Sequence, residues 1–214
     1  MNNGTTNAPV VSPRRKFGLI GCLGIIVLVV IIAAISGVST YNSLVKLDQG
    51  VRSQWGQVEN VYQRRADLVP NLVETVKGAA SFEKETFTAV AEARAQVGQV
   101  KLDASSLANA EAFARFQQAQ DGLSSALSRL LAVVEKYPEL KATENFQTLQ
   151  SQLEGTENRI AVERMRYNEA AQAFNTKRMS FPTVLIAGFF GSRFAEKAYF
   201  QAQAGAETAP KVKF

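Results

Sequence analysis

Phe17 to Ile35 reads FGLIGCLGIIVLVVIIAAI, nineteen consecutive residues without a charge, a proline or a side-chain amide. At about 1.5 Å of rise per residue the run makes a helix about 28 Å long, close to the thickness of a bilayer's hydrocarbon core. It is long enough to cross a membrane once, and no other stretch of the chain is. Everything from Tyr41 onward is therefore read as a water-facing body on a single anchor. Two other readings compete. A cleaved signal peptide shares the basic approach Arg14-Arg15-Lys16, but its apolar region is shorter and ends in a small-x-small site, which Ser36-Gly37-Val38-Ser39 does not supply. Leu19-Ile20-Gly21-Cys22 has the look of a lipoprotein processing box, yet here most of the apolar segment follows the cysteine. Cys22 is thus read as a small apolar residue packed in the membrane.

Composition bounds the rest. The chain has 214 residues, 46% hydrophobic and 20% charged. Setting aside the arm and anchor leaves about 175, enough for one domain with a sizeable core. The single cysteine lies in the anchor, so no intramolecular disulfide staples the body, which holds together by packing. Lys and Arg number 24 against 19 Asp and Glu, a formal net charge of +5, and three of those positives are Arg14, Arg15 and Lys16. The body is near neutral and has no basic stripe interleaved with aromatics, which excludes nucleic acid as the natural partner.

The organisation expected is all-α: a disordered basic arm at 1–16, a transmembrane helix at 17–36, an antiparallel bundle of long helices at 41–180, and an apolar C-terminal segment with a loose tail at 181–214. Positive charge is retained on the cytoplasmic side, and only Lys46 and Arg52 follow the anchor closely, so the arm is expected inside and the body outside. After a weak spot at Ser36 to Thr40, Leu44, Leu47, Val51, Trp55, Val58 and Tyr62 step by three and four along one helix face. Asp67 and Pro70 then suit the N-cap and first turn of a new helix, so one helix is expected to end near Arg65 and another to begin, a single kinked helix being the alternative. Val69, Leu72, Val76 and Ala79 face inward, and a soft joint falls at Gly78 to Phe82.

Glu83 to Val100 is read as helix, with a connector at Gly98 to Asp103. From about Ser105 to Lys136, Phe113, Phe116, Gln120, Leu123, Leu127, Leu130 and Val134 form a coiled-coil-like seam. Tyr137-Pro138 ends that helix and starts the next. From Glu139 to about Arg178 the seam repeats as Phe146, Leu149, Leu153, Ile160, Tyr167, Ala170 and Phe174, with Thr156 and Glu163 in the gaps. Two such helices joined by a proline turn lie antiparallel. The run from Phe181 to Phe190 breaks the pattern: it is apolar but too short to span a bilayer, and either folds onto the bundle end or offers Val184, Leu185, Ile186, Phe189 and Phe190 as a contact surface.

The chemistry is sparse. The chain has no histidine, the commonest general base and metal ligand, and no glycine-rich phosphate loop. No catalytic, cofactor-binding or metal-ligating residue stands out, and no cofactor or small-molecule substrate is expected. Glu157, Arg164 and Asn168 fall near one helical face close to the seam and are read as a polar network fixing register, with Arg65 or Asp67 as partners from the other turn; a solvated charged face is the alternative.

Tyr41-Asn42 after the anchor, Trp55, Arg65-x-Asp67-Leu68-Val69-Pro70-Asn71-Leu72, Ala93-Arg94, Glu135-x-Tyr137-Pro138-x-Leu140, and Glu157-Asn158-x-Ile160-Ala161 leading to Arg164-x-x-Tyr167-Asn168 together resemble the bacterial LemA family. The resemblance covers roughly Tyr41 to Pro182. It implies a single N-terminal anchor in the bacterial inner membrane and a helical-bundle body. With the missing catalytic groups, the expected function is a non-enzymatic envelope scaffold or adaptor that binds another membrane protein or its own copies. The alternative is a module that organises membrane through direct contact of its C-terminal apolar segment with the bilayer.

Overall fold

The computed structural model describes residues 14–79 and 84–202; the expectations for the arm before Arg14, the joint at 80–83, the tail past Ala202, and the side chains of 14–22 and 78–79 lie outside the described residues. In chain order the elements are α1 (Arg14–Ala79), α2 (Lys84–Gln99), α3 (Ala110–Val134), α4 (Pro138–Lys141), α5 (Glu144–Met179), α6 (Thr183–Phe189) and a 3₁₀ turn (Gly191–Phe194). No strand occurs among the described residues. The fold class is all-α, as the three-and-four periodicity requires.

The chain divides into two compact units, Met1–Ser43 and Leu44–Phe214, and α1 contributes to both. In the first, the large apolar side chains from Leu23 to Ile35 are exposed, Leu23 by 64% and Ile35 by 66%. A helix apolar on every side has no use for water. Among the described residues α1 is the one helix long and apolar enough to cross a membrane.

In the second unit four long helices alternate in direction. Trp55 and Arg65 of α1 meet Tyr167 and Glu157 of α5, so one numbering rises as the other falls. Trp55 and Arg65 also meet Phe113 and Ser124 of α3, where both numberings rise. The core at one end joins Val69, Leu72 and Val76 of α1, Val90 of α2, Leu123, Leu127, Leu130 and Val134 of α3, Leu140 of α4, and Phe146 and Leu153 of α5. Each fully buried side chain of this size contributes about 1.5–3 kcal/mol of transfer free energy. The α3 seam is buried throughout; on α5, Leu149, Glu163 and Ala170 are half-buried while Ala171 and Asn175 are buried instead.

Three boundaries differ from the sequence reading. First, α1 does not end near Arg65 and restart; it runs on as helix through Asp67 and Pro70. Asp67 is not a cap: its Oδ1 accepts from Gln63 Nε2 at 2.7 Å on the helix surface. Proline at 70 has no N–H for the carbonyl of Ala66. Arg94 of α2 supplies a replacement, its Nε donating to Ala66 O at 3.4 Å, while burial of Val69, Leu72 and Val76 holds the following turns in register. Replacing Pro70 with alanine restores the internal hydrogen bond and is expected to stabilise the body by about 1–3 kcal/mol. A thermal melt of the full chain checks this, and an unchanged or lower midpoint counts against it.

Second, α3 begins at Ala110, not Ser105. Asp103 Oδ1 accepts from the N–H groups of Ser105 and Ser106 at 2.9 and 3.0 Å, tying that stretch into a turn. Asn109 then caps α3 by accepting from Ala112 N at 3.0 Å. Third, the helix expected from Glu139 to Arg178 is broken after Lys141, because Thr143 takes extended angles and its hydroxyl accepts from Phe146 N to cap α5.

Candidate functional site

Beyond the 3₁₀ turn the chain takes no regular structure, yet 195–201 is not loose. This strap doubles back along α5 and is held by side-chain amides. Asn168 and Asn175 are seven residues apart, two helical turns, and so share a face of α5. Asn175 Oδ1 accepts from Lys197 N and its Nδ2 donates to Lys197 O, both at 2.9 Å. Asn168 repeats the pattern on Phe200, again at 2.9 Å both ways. Gln117 of α3 does the same for Gln201, at 2.9 and 3.1 Å. Tyr167 Oη donates to Ala198 O at 3.0 Å, and Ala198 N donates to Leu107 O at 3.0 Å. A side-chain amide sets an N–H donor beside a carbonyl acceptor, as a neighbouring strand would. The cradle thus satisfies an extended backbone without a sheet.

Two strap side chains enter the bundle. Phe200 packs among Trp55, Phe113 and Tyr167, with ring centroids 6.2, 4.8 and 5.5 Å away. The Arg164 guanidinium lies 4.7 Å from the Phe200 ring centroid, and its Nη2 donates to Gln201 O at 3.0 Å. Burial pushes the Tyr167 phenol well above its ordinary range. Lys197 is 5% exposed and pairs with Asp48 of α1, Nζ to Oδ1 2.7 Å. Arg52 Nε donates to the other Asp48 oxygen at 2.8 Å.

Burial alone would raise the Asp48 pKa, but the contacts and charges of Lys197 and Arg52 outweigh it and hold the carboxyl below its ordinary value. A carboxyl depressed in the folded state contributes stability above its unfolded value of about 3.9 and loses it as pH falls through the folded value. The strap is therefore expected to loosen only at pH below about 4. Emission from Trp55, the single tryptophan and a neighbour of Phe200, reports the step. Asp48→Asn should weaken the strap at neutral pH and flatten this acid step; an undiminished step in that variant contradicts the assignment.

A second polar centre sits deeper. Arg65 is 1% exposed. Its Nη1 donates to Ser124 Oγ at 2.6 Å and Glu157 Oε1 at 2.9 Å. Nη2 reaches Gln120 O at 3.3 Å and also Gln120 Oε1. The Tyr62 ring centroid lies 5.1 Å from the guanidinium carbon, and burial lifts the Tyr62 phenol to about 12. A cavity of about 280 Å³ opens beside them, lined among others by Asp121 and Arg164. Here the arginine is spent on fixing α1 against α3 and α5.

The network expected of Glu157, Arg164 and Asn168 is thus split. Glu157 binds Arg65, whereas Arg164 and Asn168, with Trp55 and Tyr167, hold the strap; Arg164 Nη1 also faces Asp121 at 3.6 Å. Asp67, Asn71 and Asn158 are exposed, and Asn71 O accepts from Thr75 Oγ1 at 2.8 Å. Pro70 and Arg94 serve the Ala66 carbonyl. Tyr137 and Pro138 make the turn into α4, with Pro138 at its start. Tyr41, half-buried, and Asn42, exposed, lie on the part of α1 in the first unit. Sequence reasoning missed Asp48, Gln117, Asn175, Lys197 and Phe200. The seven-residue spacing of Asn168 and Asn175 was the available signal.

At the bundle end, α6 buries Thr183 and Ala187 and turns its other side outward. Leu185 is 65% and Phe189 85% exposed; Val184 and Phe190 are also exposed and Ile186 half-buried. Phe181, 81% exposed, and Met179 extend the patch.

A family model described as LemA family matches residues 54–214. The chain is 28% identical to magnetosome protein MamQ 2 of Paramagnetospirillum magneticum, over 78% of this chain and 67% of the relative. It is 26% identical to magnetosome protein MamQ of Magnetospirillum gryphiswaldense over the same shares. Protein LemA of Metamycoplasma hominis is 21% identical, over 70% of this chain and 64% of the relative.

Proposed function

The chain belongs to the LemA family, and we propose that it is a non-enzymatic scaffold, anchored in the inner membrane by its N-terminal apolar helix, that engages membrane-protein neighbours or its own copies through the α6 end of its bundle. One observation carries this reading. The exposed face of α6, with Phe181, Leu185 and Phe189, is a contiguous apolar patch on an otherwise well-packed body. It lies at the end of the bundle where the chain enters at Leu44: Leu47 of α1 lines a groove with Thr176 and Ser180, just before α6. In this reading the body occupies the extracytoplasmic side, on the retained-charge argument.

A second reading has its own support. Lys177, Arg178 and Arg193 flank the patch, and apolar side chains beside cations also suit an anionic lipid surface. One experiment separates the two. A photoreactive phenylalanine analogue at position 189, in native membranes, should yield protein adducts that disappear when Leu185→Ser and Phe181→Ser are introduced. The same probe at Val162, far along α5, gives the background. Adducts to phospholipid alone favour the second reading and remove the first.

A further inference from the structure

We infer that the cradle on α3 and α5 receives the 194–201 segment of a second copy, so that two chains exchange straps about a two-fold axis. The inference rests on the reading that this protein assembles with its own copies, and names how.

The cradle is a built site for an extended segment of defined sequence. Asn175, Asn168 and Gln117 read backbone at Lys197, Phe200 and Gln201. Asp48 selects the lysine, and the box of Trp55, Phe113 and Tyr167 selects the phenylalanine three residues on. The occupant it fits is a Lys-x-x-Phe strand, which every copy carries. Exchange reproduces each contact of the closed form between chains, so its cost is confined to the hinge and to association.

The connection into the strap is suited to such exchange. The strap is tightly seated, with Phe194, Lys197 and Phe200 at 1%, 5% and 6% exposure. The segment before it is held on one side only: Thr183 and Ala187 are buried, while Phe181, Leu185 and Phe189 face outward. At the point of reversal Gly191 has φ of +53°, the one positive φ among the described residues. Glycine takes that turn or an extended form at similar cost. In an exchanged pair the strands cross next to the two α6 helices, and their apolar faces cover one another. That supplies an occupant for a patch the closed chain leaves bare. Tethering two copies to one membrane raises the effective concentration that exchange needs.

The test uses the full chain with Cys22→Ser, co-expressed under two tags, one bearing Gln117→Cys and the other Gln201→Cys. These residues are hydrogen-bonded neighbours within the cradle and both partly accessible. A short bis-maleimide applied to membranes should join the two tags, and Phe200→Ala on the strap-donating copy should reduce that product severalfold. A second variant reads the hinge. Alanine at 191 meets no atom within 4 Å, so its effect is backbone strain in the closed turn alone; Gly191→Ala should raise the cross-tag product by about fivefold or more. A single chain carrying both Gln117→Cys and Gln201→Cys reports the closed form; product within that chain, with none between tags and no rise in the Gly191→Ala variant, overturns strap exchange. If the photoprobe at 189 still captures protein, the scaffold reading survives that result; if it too captures none, both fall.

Discussion

Replacing Phe200 with alanine is expected to cost about 3–5 kcal/mol, the range for removing a buried phenylalanine. The ring is 6% exposed, lies within ring-stacking distance of three aromatics and carries the Arg164 guanidinium 4.7 Å from its centroid. Aromatic pairs add about 0.5–1.5 kcal/mol beyond area burial, which argues for the upper half of that range. The loss also spreads along the strap. Without the anchor at 200, the amide pairs at Lys197 and Gln201 fix a short segment against its own backbone entropy, about 1–2 kcal/mol per residue. The variant should therefore show two signals together: a lower unfolding midpoint in denaturant, and a red-shifted Trp55 emission before unfolding begins, as water reaches the indole. A change below about 1 kcal/mol with emission unaltered would mean that the strap is not seated in the box.

The second large effect belongs to Arg65. Truncation to alanine removes the partner of Gln120, Ser124 and Glu157 at once. Each buried polar group left unsatisfied costs about 1–3 kcal/mol. The Glu157 side chain keeps 39% exposure and recovers water, so the penalty falls mainly on Gln120 and the empty volume. A total of about 3 kcal/mol follows. Arg65→Met fills the space with apolar atoms and should cost distinctly less, since replacing a buried ion pair by packing is often near neutral. Equal losses in the two variants would place the role of Arg65 in its charge alone; no loss in either would remove it as the tie between α1, α3 and α5. Unlike Phe200→Ala, neither variant should alter Trp55 emission ahead of global unfolding, which separates the deep centre from the strap.

The fold was legible because helices announce themselves locally. The α3 seam from Phe113 to Val134 is written at three-and-four spacing, and each of its members is buried. The Tyr137-Pro138 turn follows from the conformational limits of proline and its neighbour. Pro70 misled for an instructive reason. The local rule breaks the helix, but the core contacts of Val69, Leu72 and Val76, and an arginine 28 residues away at Ala66, keep it whole. The start of α5 was readable in hindsight, since Thr143 directly precedes a glutamate in the first turn.

The site was much less legible. An extended strap has no periodicity, and its partners are remote: Gln117 and Gln201 lie 84 residues apart. Asn168 and Asn175 look like ordinary surface polar residues until a backbone is placed against them. Glu157, Arg164 and Asn168 drew notice as a polar network; Glu157 does meet Arg65, whereas Arg164 and Asn168 turn to the strap instead. Lys197, in a stretch without periodicity, is buried alongside Arg65 among the described residues.

The account turns on whether the C-terminal segment is part of the folded body, and amide hydrogen exchange on the full chain in detergent addresses that directly. The N–H groups of Lys197, Ala198, Phe200 and Gln201 are bonded to Asn175, Leu107, Asn168 and Gln117. Their exchange should be slowed to rates near those of the middle of α5, and should accelerate together in the Phe200→Ala variant. Exchange across 196–201 at the rate of an unstructured peptide would contradict the cradle, and the strap exchange argued from it.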